Sequence, residues 1–154
     1  MTERATGIEK FNIRVYALII NNKNEILLAD EKRFGMRMTK FPGGGLKPGE
    51  GTIDGLKREA LEEFGQEIEI IEHFYTTDFF QKALFFENQQ LISIYYLARF
   101  IEKEKFRITN LPFDFNINKG EILSFRYAGI NALKENDLSF PVDQHVLMLL
   151  KKKR

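Results

Sequence analysis

The chain has 154 residues, 44% of them hydrophobic, with 23 Lys plus Arg against 22 Asp plus Glu. Those values suit one folded domain across residues 1–154 with a single core, and the balanced charge argues against a protein that grips nucleic acid by bulk electrostatics. There is no cysteine, which excludes disulfides, zinc thiolates and a cysteine nucleophile, and the two histidines, His73 and His145, stand too far apart in sequence to suggest a metal cage.

In chain order, the polar start MTERATGIEK does not read as a signal peptide. No later apolar run approaches the ~18 residues that span a bilayer, so the expectation is a cytoplasmic protein with no membrane partner. Residues 11–20 (FNIRVYALII) are β-branched and aromatic and read as a strand. Asn21 to Asn24 make a turn, residues 25–29 a second strand, and the pair a hairpin. Residues 30–40 (DEKRFGMRMTK) are polar and basic and read as a loop. Thr52–Phe64 is the clearest helix, with Thr52 as N-cap, an apolar stripe of Ile53, Leu56, Ala60 and Phe64, and Gly65 as its stop. Residues 66–80 and 90–100 read as strands, 103–120 as an irregular connection, 122–128 as a strand, and 131–135 as a short helix. Residues 142–152 form a terminal helix, and the closing KKKR is its solvated end. Strands around two main helices, without regular alternation, point to an α/β fold with a mixed sheet.

Chemistry concentrates between Gly43 and Gln66: GGGLKPGEGTIDGLKREALEEFGQ. At about 100° per residue, Glu59, Glu62 and Glu63 share an arc of roughly 100° beside the apolar stripe. Like charges at i, i+3 and i+4 destabilise an isolated helix by a few tenths of a kcal/mol per pair. A hard divalent cation would offset that repulsion; a solvated acidic face neutralised by Lys57 and Arg58 is the plainer alternative. Gly43, Gly44 and Gly45 tilt the balance, because bare backbone lets carbonyls reach a cation and N–H groups reach phosphate oxygens. The lack of Cys and scarcity of His fit Mg²⁺ or Mn²⁺ rather than zinc.

This stretch resembles the Nudix box, G-x5-E-x7-R-E-U-x-E-E-x-G-U with U a bulky aliphatic residue. Here Gly44, Glu50, Arg58, Glu59, Glu62, Glu63 and Gly65 stand in register, led in by Phe41-Pro42-Gly43. Two positions depart from it: Ala60 is small and Gln66 is polar where aliphatics are usual. The resemblance implies an α/β/α sandwich with a mixed central sheet. It also implies metal-dependent hydrolysis of a diphosphate bond in a nucleoside diphosphate linked to another moiety, using Mg²⁺ or Mn²⁺.

On that resemblance Glu59, Glu62, Glu63 and a Gly43 carbonyl would hold metal, and Arg58 would orient the glutamates. Glu62 or Glu63 would act as base, or else Glu121, whose segment EILSFRY is similar to a common Glu-Ile-x-x-x-Arg-Trp segment. Gly44 belongs to the substrate loop. Arg33, Arg37 and Lys40 are candidates for outer phosphates or equally ordinary loop charges; Phe34, Phe79 and Phe80 are candidates for stacking on a base, with core packing the favoured alternative. Phe140-Pro141-Val142-Asp143 resembles the segment that reads the base in MutT-like hydrolases, with Asp143 replacing an amide. The markers of ADP-ribose and dinucleoside polyphosphate hydrolases are missing, which favours a nucleoside triphosphate or similar small nucleotide as the partner. The rival reading is a non-catalytic nucleotide or nucleotide-sugar binding module on the same fold. A homodimer is left open, since nothing in the sequence locates an interface.

Overall fold

The computed structural model describes residues 7–153; most of the polar start and Arg154 of the basic terminus lie outside the described residues. Its elements are β1 (Lys10–Ile19), β2 (Glu25–Arg33), β3 (Met36–Lys40), β4 (Gly43–Gly45), α1 (Thr52–Phe64), β5 (Ile68–Thr76), β6 (Gln89–Phe100), β7 (Leu123–Gly129) and α2 (Pro141–Lys153), with single 3-10 turns at Ile117–Lys119 and Glu135–Asp137. They form a mixed four-stranded sheet ordered β4-β1-β6-β5, in which β1 and β6 run parallel, and an antiparallel sheet ordered β3-β2-β7.

Alternation along β1 sorts the core into two layers. Val15, Ala17 and Ile19 pack with Leu56, Ala60 and Phe64 of α1. Tyr16 and Leu18 face the other way and pack with Val142, Val146, Leu147 and Leu150 of α2. Helix, sheet and helix therefore stack as an α/β/α arrangement, as the resemblance implies. None of the helices is long and apolar enough to cross a membrane among the described residues.

Four local expectations are corrected. The strands at 11–20 and 25–29 do not form a hairpin: after a single bridge, Ile20 to Ile26, β1 joins one sheet and β2 the other. Residues 30–40 are no loop but the end of β2, a tight turn at Phe34 and Gly35, and β3. Their charges are accommodated across strands, Glu31 with Lys40 at 3.5 Å and Asp30 with Arg126 at 2.7 Å. Thr52 is the first residue of α1 rather than its cap; Gly51 caps with extended backbone, and the Thr52 hydroxyl is committed to the Tyr96 hydroxyl at 2.6 Å. Ile53 is 41% exposed and leaves the buried stripe to Leu56, Ala60 and Phe64, with Gly55 packed beside them. Gly65 ends the helix in the left-handed region, as its type predicts.

Candidate active site

The loop between β4 and α1 is organised by one cation. Arg58 Nη2 donates to the Gly45 carbonyl at 2.9 Å, and Nη2 and Nε hold Glu50 at 2.7 and 3.0 Å. Nη1 reaches Glu59 at 3.0 Å and Glu62 at 3.2 Å. Glu50 also accepts from the Lys47 N–H at 2.8 Å, so it staples the loop onto the helix. The Arg58 guanidinium first, then the Lys47 N–H, hold the Glu50 carboxyl down at about 2. The polar Gln66 has a purpose the motif does not reveal: it is buried, accepts from the Lys105 N–H at 2.7 Å, and donates to the Glu102 and Lys103 carbonyls.

Two of the three glycines of β4, Gly43 and Gly44, stand where the strand has no room for side chains. A Cβ on Gly43 would lie 2.1 Å from the Val15 carbonyl oxygen, and one on Gly44 would lie 2.4–2.5 Å from the Glu59 carboxylate. Hydrogen bonds from Ala17 N to Pro42 O and from Leu46 N to Ile13 O bracket the register Val15 to Gly44. In an antiparallel ladder that makes Gly44 the bonded partner and turns the Gly43 carbonyl away from β1. Gly43, Glu59 and Glu63 border one narrow crevice. Burial pushes the Glu63 carboxyl up to about 8, the neighbouring Glu59 adds to this, and the charges of Lys40 and Arg14 offset it only in part.

No three Asp, Glu or His side chains converge as a ready-made metal cage among the described residues. The cause is visible: Arg58 draws Glu59 and Glu62 toward itself. The donors nevertheless fit a hard divalent cation. Among the described residues, Glu63 is a desolvated carboxyl with no cationic partner at bonding distance, Glu59 lies against a strand stripped of side chains, and the Gly43 carbonyl, turned away from β1, stands beside both.

A cleft of about 280 Å³ opens between the two sheets, close enough to the crevice that its Lys40, Glu31 and Arg14 charges act on Glu63. Arg14, Tyr16, Ser93 and Tyr95 line it from the first sheet, and Glu31, Arg33, Met38 and Lys40 from the second. Residues 81–86 close one side and the start of α2 the other. Ser139 sets that start, its hydroxyl accepting from Thr39 N at 2.8 Å and its own N–H donating to Thr39 O at 2.9 Å. Asp143 is thereby fully buried. Its Oδ1 accepts from the Tyr95 hydroxyl at 2.5 Å, while Oδ2 has no partner among the described residues. Burial pushes the Asp143 carboxyl up to about 6, against the pull of the Tyr95 hydroxyl, the Phe41 backbone and the Lys40 charge.

Of the residues singled out from sequence, Gly43, Glu59 and Glu63 border the crevice, Gly44 lies against the Glu59 carboxylate, Arg58 holds Glu59 and Glu62 beside it, and Arg33, Lys40 and Asp143 line the cleft. Arg33 lies 5.1 Å from both the Phe34 and Phe85 rings. Arg37 does not join them: it alternates with Met38 and Met36 onto the opposite face of β3 and stacks on Phe113 at 5.3 Å. Glu121 holds the 103–120 connection, accepting from Asn116 N at 2.7 Å and Arg107 at 3.0 Å, and contacts none of the α1 carboxylates. Phe79 and Phe80 are exposed, and Phe85 and Phe86 line the cleft instead. His73 bonds Thr76 and packs on Tyr96, and His145 packs against Tyr75 and Phe79. Sequence reasoning missed Arg14, Tyr16, Glu31 and Tyr95. The available signal was a charged and an aromatic residue at alternate positions of an otherwise apolar strand, which puts Arg14 and Tyr16 on one face.

None of the curated proteins matches the sequence. Among solved structures, a NUDIX hydrolase from Nitrosomonas europaea superposes with a TM-score of 0.69 at 18% identity, covering 92% of this chain and 89% of that one. The MutT protein from Methanosarcina mazei Go1 gives 0.67 at 19%, covering 94% and 96%. The E. coli ORF135 protein gives 0.63 at 20%, covering 99% and 98%. At such identities these likenesses concern the fold. The model of the NUDIX domain matches residues 10–149, from the first strand into the last helix. With nearly the whole chain inside that match and the box residues gathered at one crevice, the protein belongs to the NUDIX domain family and is a pyrophosphohydrolase.

Proposed function

We propose that the chain hydrolyses the diphosphate linkage of a nucleoside triphosphate or related small nucleotide, with water attacking phosphorus and Mg²⁺ or Mn²⁺ as cofactor. The observation that carries this reading is the adjacency of two unlike sites. Glu59 and Glu63, set against the side-chain-free backbone of Gly43 and Gly44, suit metal and phosphate, and a cleft with an aromatic wall and one buried unsatisfied oxygen suits a nucleoside. Glu59, Glu63 and the Gly43 carbonyl would hold the ion, with Glu62 joining from its bond to Arg58. When bound, such an ion screens phosphate oxygens and lowers the pKa of the attacking water.

The chain's own residues supply the rest. Arg58 orients Glu59 and Glu62 by charged hydrogen bonds. Glu62 or Glu63 accepts the proton of the attacking water. Glu121 can serve as base only if its connection moves, since Arg107 and Asn116 engage it. In the cleft, Asp143 Oδ2 accepts a hydrogen bond from a donor on the base, and an N–H edge satisfies it best. Lys40 and Arg33 add positive charge, and Gly44 lets phosphate approach the backbone. Arg37, on the far face, takes no part in this assignment. We also infer one catalytic domain and a small nucleotide, rather than a nucleic acid, as partner; the balanced charge and the small cleft support both.

The test is a screen of the purified protein with Mg²⁺ against nucleoside triphosphates, dinucleoside polyphosphates, ADP-ribose and nucleotide sugars, with Glu63→Gln as control. Turnover of a triphosphate, reduced at least ~100-fold in the control, is expected. Equal turnover by the control would remove Glu63 from the metal site. Silence on every substrate would contradict the reading as a whole.

A further inference from the structure

We propose that Arg14 clamps the phosphate chain of the substrate, gripping the phosphate that lies between the nucleoside in the cleft and the phosphate held at Glu59 and Glu63. The proposal rests on the nucleotide reading above and deepens it.

Arg14 is placed for this by the sheet. In β1 it stands in register with Gly45 of β4 on one side and Ser93 of β6 on the other. Alternation puts it on the face of Tyr16, toward the cleft, and it lines that cleft. The glycine strand separates it from the carboxylates by the thickness of bare backbone. The Cβ position of Gly44 meets the Glu59 carboxylate, and that of Gly45 lies 3.8 Å from Arg14 Nη1. Successive residues of a strand face opposite sides, so cation and carboxylate flank one short stretch of edge without touching. A chain of phosphates crossing that edge would meet both.

The guanidinium is held ready. Nε donates to the Tyr16 hydroxyl at 2.7 Å, and the group lies 5.7 Å from the Tyr16 ring. Tyr16 in turn stacks on Tyr95, with centroids 5.0 Å apart. One side of the fork is thus fixed, while Nη1 and Nη2 bond to nothing among the described residues. Its neighbours in the cleft are differently occupied. Lys40 pairs with Glu31, and Arg33 lies against two phenylalanine rings. Glu59 and Glu31 both favour the positive charge of Arg14, yet neither pairs with it. A half-buried fork with its Nε anchored and its terminal donors free is matched by two oxygens of a phosphate.

The experiment measures binding without turnover. Calorimetry with Mg²⁺ would compare analogues of GTP and ATP carrying methylene at both the α,β and β,γ bridges with guanosine and adenosine, on the wild type, Arg14→Gln, Arg14→Lys and Tyr16→Phe. For Arg14→Gln the expected result is a loss of about 10-fold or more on the triphosphate analogue, with nucleoside affinity unchanged. Lys recovers part of that loss, since it restores the charge but not the fork. Tyr16→Phe, which keeps Arg14 but frees it, is expected to weaken triphosphate binding about 3-fold; it answers the question if Arg14→Gln does not fold. Equal losses on nucleoside and triphosphate, or no loss on either, would overturn the clamp. If the wild type binds neither analogue, the nucleotide reading fails on its own account, and inorganic tripolyphosphate then decides the clamp. Binding weakened by Arg14→Gln upholds it, and unchanged or absent binding overturns it.

Discussion

Asp143 carries an acid where solvation is lost and only one of its two oxygens is satisfied. Its folded-state pKa, about 6, lies above the ordinary 3.8, so the proton is bound more tightly in the folded chain. The stability this gives is fully present below about 3.8 and is lost as the pH rises through 6. Asp143→Asn keeps the shape without the charge. Urea unfolding should therefore find the variant gaining on the wild type between pH 4 and pH 7.5, by about 2 kcal/mol; a difference independent of pH would contradict the burial argument. Glu50 works with the opposite sign. Arg58 depresses its pKa to about 2, so its contribution is present above the ordinary 4.5 and lost as the pH falls through 2. Arg58 itself reaches the loop and three glutamates at once. Arg58→Gln should weaken the Mg²⁺ dependence of turnover by about 10- to 100-fold, and Arg58→Lys should rescue little, because a point charge cannot span those partners. Unchanged metal dependence in both would show the arginine to be structural only.

Among the elements, β4 is three glycines long and each of the first two answers to a different neighbour. Gly43→Ala drives a methyl group into the backbone of β1 and should cost about 1–3 kcal/mol of stability, read by thermal unfolding. Gly44→Ala meets only the mobile end of Glu59, so the fold should survive. The metal-dependent rate should instead fall by about 100-fold, since a proposed ligand is pushed aside. The reverse pattern would contradict this division. Elements with a clean period were legible in the sequence. Leu56, Ala60 and Phe64 mark α1 and Gly65 stops it; Val146, Leu147 and Leu150 mark α2. Residues 30–40 were not, because Asp30, Glu31, Lys32, Arg33, Arg37 and Lys40 look like solvent-exposed loop. Their strand character depends on partners distant in sequence, Arg126 above all. Arg14 escaped for the converse reason: within an apolar strand its charge had no visible partner until the sheet set it beside β4.

At the scale of the molecule, β1 and β2 leave a shared turn and part into two sheets, and the cleft is the space between them. That parting is what a hairpin reading of 11–29 could not contain, since both strands are apolar enough to pair. The crevice, by contrast, was largely legible, because the box residues lie within one loop and one helix. The cleft joins residues from β1, β2, β3, β6 and α2, and of these only Arg33, Lys40 and Asp143 stood out in the sequence. The account as a whole turns on whether the crevice takes a divalent ion. Calorimetric titration of the wild type and of Glu59→Gln/Glu63→Gln with Mn²⁺ and Mg²⁺, with and without a methylene-linked triphosphate, tests this directly. The account predicts saturable metal binding by the wild type that tightens with nucleotide and is abolished in the double variant. Identical titrations of the two proteins, or none by either, would contradict it.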